Sequence, residues 1–287
     1  MNYSIITTAK NEELFISETI NSVINQTILP KEWIIVDDHS IDLTREIVRK
    51  FAKEYFWIKL IDASDLEIRI KATGGRVATL FNLALSEINN DSDNIVKLDA
   101  DISFLPDFFE LLLSEFQKNE GLGVASGTLV FEGKREKIDY SIQQTRGAVM
   151  VIKKCIIEKT GGLFVSKGNG EDTQLSVAAR YFGWETLSFP IFFNHLKQEG
   201  SKNNSLYNHW VTGFYKGSIP YIYSYFMYTQ FKHIKRRPAV IGSVFQVFGY
   251  IFSRWIKRYR PFPYYIRIQL KKEHKMKLNR YCLSSLG

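Results

Sequence analysis

The acidic residues of this 287-residue chain gather where chemistry could use them. Asp99-Ala100-Asp101 sets two carboxylates two residues apart, directly after the run Asn94-Ile95-Val96-Lys97-Leu98. Such neighbours in a partly desolvated cleft need a cation or a shared proton between them. Carboxylates and substrate phosphates together are the usual cradle for Mg2+ or Mn2+, which keep several waters and take few protein ligands. Asp37-Asp38 closes a second apolar run, and Asn11-Glu12 follows a third. One strand-end Asp is more often a cap or turn residue than a ligand, but paired acids at separate strand ends indicate a site. Glu171-Asp172 lies behind the loop Gly168-Asn169-Gly170 and offers a carboxylate for general-base work. At a helix start the dipole would keep it ionised; a plain N-cap is the simpler reading of that pair. His195 is either a hydrogen-bonded strand-end histidine, the simpler reading, or a further metal ligand. Arg76, after Gly74-Gly75, is placed to meet phosphate at a helix N-terminus or to be a solvated surface arginine.

The elements that must position these groups read as alternating strands and helices. Short β-branched runs at residues 3–8, 33–36, 58–61 and 94–98 predict strands, and the stripes at 13–25, 43–55 and 76–87 predict helices with one apolar face. That alternation implies an α/β fold with a mostly parallel sheet and helices on both sides. In such sheets ligands bind at the carboxyl ends of the strands, where these acids stand. Residues 124–131, 148–152 and 186–193 read as further strands, and 155–161 and 173–181 as helices. There is no P-loop, dinucleotide or esterase signature, which argues against those chemistries. Two cysteines, Cys155 and Cys282, cannot build a disulfide framework, and Cys155 sits in a packed apolar context. With no signal-peptide anatomy at the start, a cytoplasmic address is expected.

In order along the chain, Thr8-Ala9-Lys10-Asn11-Glu12, Val36-Asp37-Asp38-His39-Ser40, Asp99-Ala100-Asp101 and Gly170-Glu171-Asp172 resemble the motifs of family 2 nucleotide-sugar glycosyltransferases. These have the GT-A fold, an αβα sandwich. The likeness spans roughly residues 3–200, and Arg146-Gly147-Ala148, Gly161-Gly162-Leu163 and Gly183-Trp184-Glu185-Thr186 resemble bacterial exopolysaccharide-type members. The resemblance implies that Ala9 and Glu12 line the nucleotide pocket, Asp38 bonds the base, and Arg76 meets the diphosphate. It further implies that Asp99 contacts ribose or sugar, Asp101 holds Mn2+ or Mg2+ with His195 as a further ligand, and Asp172 is the catalytic base. The implied reaction is an inverting displacement from a nucleoside-diphosphate sugar, a UDP-sugar being favoured, onto a glycan or lipid-linked acceptor. The Gln-x-x-Arg-Trp motif of processive members is missing after Asp172, where Gln174 and Arg180-Tyr181-Phe182-Gly183-Trp184 stand, so one sugar per encounter is expected. Gln143-x-x-Arg146 precedes the base instead and is followed by glycine. Lys10-Asn11 departs from the family's usual first loop and leaves the base preference open.

Charge divides the chain. Residues 1–204, the expected catalytic domain, have a net charge of −6; residues 205–287 carry 15 Lys and Arg against the single acid Glu273, and 20 of the 41 aromatics. This second part is expected to be a basic, aromatic helical region. Ile241, Val244, Phe245, Phe248, Ile251, Phe252 and Trp255 recur at three- and four-residue steps, flanked by Lys232, Lys235, Arg236 and Arg237 before and Arg254, Lys257, Arg258 and Arg260 after. That pattern predicts a helix lying in an anionic bilayer interface, on the inner face of the cell membrane. Packing of these aromatics on the catalytic domain, or an oligomer interface, is the alternative. Two rival functions share parts of the pattern: a metal-dependent nucleotidyltransferase, and a nucleic-acid-binding protein using the basic tail. The acidic body gives no reason for nucleic acid there, and none is expected as a partner.

Overall fold

The computed structural model describes residues 1–64, 73–89, 91–131, 134–135, 145–165, 170–197, 206–233, 240–256 and 262–284. Gln143, Gly168, Asn169, Lys235, Arg236, Arg237, Lys257, Arg258 and Arg260 lie outside these residues, as does the side chain of Cys282. The chain divides into two compact units, Met1–Gln198 and Glu199–Gly287.

The first unit begins with β1 (Tyr3–Ala9), α1 (Ile16–Ile24), β2 (Glu32–Asp37), α2 (Thr44–Glu54), β3 (Ile58–Asp62), α3 (Thr73–Ser86) and β4 (Asn94–Leu98). It continues through β5 (Ile102–Phe104), α4 (Phe108–Lys118), β6 (Leu122–Phe131), β7 (Lys134–Arg135), β8 (Val149–Lys153), α5 (Lys154–Thr160), α6 (Glu171–Tyr181) and β9 (Glu185–His195). Among the described residues the strands make one nine-stranded sheet in the order β3-β2-β1-β4-β8-β6-β9-β5, with β7 against β6. The first four strands are mutually parallel, and the part beyond β4 is mixed.

Strand alternation builds the layers. Ile5, Trp33, Ile35 and Val96 point into one core with α1, α2 and α4. Ile6, Ile34, Val36 and Ile95 point into the other with α3, α5 and α6. Continuous apolar runs are what strands covered on both faces require. Each covering helix contributes a stripe: Ile16, Ile20 and Val23 from α1, and Phe108, Phe109, Leu112, Leu113 and Phe116 from α4. Neither β5 nor α4 was among the sequence expectations, although that Phe-Leu stripe is a clear helical period. Helix α1 starts three residues later than its stripe suggests. The Glu12 carbonyl accepts from the Phe15 and Ile16 amides (3.0 and 2.9 Å) in a turn, while the Glu12 amide donates to Thr44 Oγ1 (2.8 Å).

The second unit has α7 (Leu206–Ser218), α8 (Tyr223–His233), α9 (Ile241–Trp255) and α10 (Tyr264–Ser284). Helices α7 and α9 meet through glycines: a Cβ on Gly213 would stand 1.8 Å from the Gln246 carbonyl oxygen, and one on Gly249 2.1 Å from that of Trp210. Between α8 and α10, buried His274 lies against the rings of Tyr221 and Tyr225, and burial lowers its pKa to about 4.

The aromatic cluster under α4 should carry much of the first unit's stability. Phe109 is fully buried, with its ring 4.8 Å from Tyr3 and 5.1 Å from Phe104. Phe109→Ala should cost about 3–5 kcal/mol in urea unfolding; a loss under about 1 kcal/mol would contradict this packing.

Candidate active site

Parallel register brings the strand ends to one edge. Ala9 pairs with Asp37, Asp37 with Asp62, and Ile6 with Lys97. The loops after β1 and β2 then interlock. The Asn11 amide donates to Ser40 Oγ (3.0 Å), and Asn11 Oδ1 accepts from the Ile41 amide (2.9 Å). Asn11 (φ 54°) and His39 (φ 57°) hold left-handed backbone there, a conformation that persists only where surrounding bonds enforce it.

Four groups of side chains follow along this edge. Buried Asp37 accepts from Arg45 Nε (3.0 Å) and Nη2 (2.8 Å), and Arg45 Nη1 also reaches Asp62 (3.0 Å). Asp38 faces Arg76, whose Nε donates to both carboxylate oxygens at 2.6 Å. Lys10 Nζ (3.8 Å) and His39 Nδ1 (3.3 Å) flank the same carboxylate. Burial alone would raise the Asp38 pKa; the bonds and charge of Arg76, helped by Lys10 and His39, outweigh it and hold it below the ordinary value. The residues assigned by resemblance to base and diphosphate are thus paired with each other. Ala9 contributes backbone: its carbonyl accepts the Asp38 amide at 2.8 Å.

The third group surrounds Asp101, which is 8% exposed. His195 Nε2 lies 3.7 Å from Asp101 Oδ2, and the Leu196 amide donates to the Asp101 carbonyl (2.8 Å). His195 Nδ1 is 2.8 Å from the Lys197 carbonyl, which can only accept, so Nδ1 carries a proton. Burial, then the charges of Asp99 and Glu12, raise the Asp101 pKa to about 6 against the opposing His195 and Lys197. Glu12 Oε1 accepts from Lys197 Nζ (2.6 Å), while its Oε2 is buried without a hydrogen-bond partner. The Asp101 carboxylate and the His195 imidazole are a donor pair that a divalent cation can use. Among the described residues no group of three or more His, Cys, Asp or Glu is arranged to hold a metal.

The fourth group centres on Lys97, which the sequence reading missed. Its Nζ donates to Asp99 Oδ1 (2.8 Å) and to the Gly147 carbonyl (2.7 Å). Burial works against the Lys97 charge, but Asp99, Asp172 and Glu171 overcome it, leaving its pKa above the ordinary value. The Asp172 carboxylate rests on Gly147, where a Cβ would come within 1.9 Å of Oδ2, and its Oδ1 accepts from the Thr173 amide (2.6 Å). A lysine inside the buried strand Asn94-Ile95-Val96-Lys97-Leu98 was the signal available, since lysines are almost never buried unless paired.

The family model "Glycosyl transferase family 2" matches residues 4–168. The chain belongs to that family.

The minor teichoic acid biosynthesis protein GgaA of Bacillus subtilis is 27% identical over 203 residues, covering 68% of this chain and 43% of GgaA. The chain spans less than half the length of the first curated relatives it matches. Among solved structures, Staphylococcus aureus TarS in complex with UDP-GlcNAc aligns with TM-score 0.59 at 15% identity, covering 99% of this chain and 92% of that one. The mannosyltransferase PcManGT of Pyrobaculum calidifontis, in complex with GDP-Man and Mn2+, aligns with TM-score 0.58 at 14% identity, covering 96% and 80%. At these identities the likeness establishes the shared GT-A fold.

Two outcomes follow from the geometry. Gly147→Ala should push the Asp172 carboxylate off its seat with little change in melting temperature; a crystal structure of the variant with the Asp172 side chain unmoved would refute the contact. For Asp38 the folded pKa is depressed, so its stabilising contribution is present above the unfolded pKa near 4 and disappears as pH falls through the folded value. Asp38→Asn should therefore melt below wild type at pH 7, and the gap should close on acidification below pH ~4.

Proposed function

We propose that the chain transfers one sugar at a time, with inversion, from a nucleoside-diphosphate sugar to a hydroxyl of a glycan or lipid-linked acceptor in cell-surface glycan synthesis. The observation that carries this reading is the gathering of Asp38–Arg76, Asp99 and Asp101–His195 along one strand edge, with Asp172 seated beside it on Gly147. The bound UDP-GlcNAc of TarS and GDP-Man of PcManGT support the donor class, and the teichoic acid role in the name of GgaA supports the acceptor class.

Asp38 and Arg76 would bind the nucleotide, with Arg76 shared between Asp38 and the diphosphate. Asp99, steadied by Lys97, would orient ribose or sugar. Asp172 would accept the acceptor hydroxyl's proton as that oxygen attacks the anomeric carbon and the bond to the diphosphate breaks. Asp101 and His195 would hold Mn2+ or Mg2+, which when bound supplies positive charge against the departing diphosphate. Support for single transfer is the lack of Gln-x-x-Arg-Trp after Asp172.

The helical unit would dock on an anionic membrane surface. No helix among the described residues is long and apolar enough to cross a membrane. Helix α9 nevertheless buries Gly242, Gly249, Tyr250 and Ser253 and leaves Ile241, Phe248 and Trp255 53%, 62% and 76% exposed. Helices that join through small residues and turn apolar side chains outward suit apolar surroundings. An exposed aromatic face with basic flanks suits the bilayer interface, placing the enzyme peripherally on the inner leaflet.

Donor binding and transfer are separable. In calorimetric titration with a UDP-sugar and Mn2+, Asp101→Ala should lose the metal-dependent part of binding. Asp172→Asn should keep binding and lose transfer by about 100-fold or more. Transfer at wild-type rate by either variant would overturn the assignment.

A further inference from the structure

Within the helical unit lies a cavity of about 660 Å³ whose walls include Tyr221, Tyr223, Tyr250, Arg254, Arg267 and Lys271. That volume is in the range of small-molecule sites, about 300–1,000 Å³. Three cationic side chains line it and, among the described residues, no carboxylate does. Arg254 is fixed in the wall: its Nη2 donates to the carbonyls of Tyr221 (2.9 Å) and Ile219 (3.3 Å) and meets Tyr250 Oη (3.3 Å). These acceptors orient the guanidinium. Arg267 and Lys271, four residues apart on α10, share one helical face, are exposed, and have no ion pair among the described residues. Like charges at that spacing repel, and an anion between them relieves the repulsion.

Ile251 ties this cavity to the apolar face of α9, being half exposed and a wall residue at once. A helix bedded by that face would set the cavity mouth beside the acyl boundary. Tyrosine rings favour the headgroup level, and basic side chains there meet phosphate.

We propose that this cavity is a binding site for the phosphate of an anionic membrane lipid, with Arg254 as its fixed wall and Arg267 and Lys271 as the groups that close on the phosphate. It rests on the reading that the helical unit docks on a bilayer, and adds to it one defined lipid-phosphate site. The consequence is a membrane affinity that depends on two particular cations rather than on total charge.

The test is flotation of the full chain with phosphatidylcholine vesicles, with and without phosphatidylglycerol. Arg267→Gln/Lys271→Gln is compared with Lys272→Gln/Lys275→Gln, which removes the same charge from exposed positions of the same helix outside the cavity. All four positions are exposed, so both variants should fold, as melting curves will verify. Diffuse attraction would weaken binding about 30-fold for either pair. The proposal requires phosphatidylglycerol-dependent binding to fall at least about tenfold further in the cavity pair than in the control pair. Equal losses would overturn the lipid-phosphate site and leave the docking reading standing. Failure of the wild-type chain to bind phosphatidylglycerol vesicles would overturn the docking reading itself. If inorganic phosphate raises the melting temperature through Arg267 and Lys271 while vesicles do not bind, the site is one for soluble phosphate and the lipid assignment fails. Retention of an oligonucleotide through the same pair without vesicle binding would overturn it in favour of nucleic acid.

Discussion

Six carboxylates stand along one edge of a sheet that is buried on both faces, and the rest of the catalytic unit is arranged around keeping them there. Two such charges 4 Å apart interact by about 4 kcal/mol even at an effective dielectric of 20, so uncompensated clustering would cost a large share of the fold's stability. The compensation is distributed. Arg45 serves Asp37 and Asp62, Arg76 serves Asp38, Lys97 serves Asp99, and Lys197 serves Glu12. Asp101 is answered more weakly, by the imidazole of His195 at 3.7 Å and by the charge of Lys197, and burial raises its pKa to about 6. The electrostatic deficit of the edge is concentrated at this carboxylate, whose charge Asp99 and Glu12 further disfavour. The proposed cation would answer this deficit in the charge balance.

Lys97 links the two halves of the chemistry. Its ammonium lies between the carboxylate assigned to the donor, Asp99, and the backbone of Gly147 on which Asp172 rests. The short β4–β8 antiparallel pairing makes this reach possible, since Leu98 stands opposite Val149 and the chain arrives at Gly147 just beyond. Asp99 and the seat of Asp172 are therefore held by one buried charge, whose desolvation is offset only while the neighbouring carboxylates stay in place.

The helical unit follows a different packing logic. In the catalytic unit large apolar side chains face inward, whereas α7 and α9 bring backbones together at Gly213 and Gly249 and leave much of the aromatic surface outside. Both arrangements minimise the mismatch between side chain and surroundings. The first suits water, and the second matches the bilayer surface proposed for this unit.

Much of this was legible in order along the chain. Alternating apolar runs and stripes determine the first four strands and the helices between them, because period and burial are local properties of sequence. The paired acids at strand ends mark the site edge, because a parallel sheet sends all its carboxyl ends one way. The split between an acidic body and a basic aromatic tail, and the helical stripe from Ile241 to Trp255, were equally plain. Only the tertiary structure decided which cation answers which acid. Arg76 lies 38 residues from Asp38, and Lys197 lies 185 residues from Glu12. It also decided that Lys97 is interior and that Gly147 is the seat of Asp172, and it set α9's glycine face inward and its aromatic face outward. Those outcomes depend on distances between segments far apart in sequence, which no local periodicity encodes.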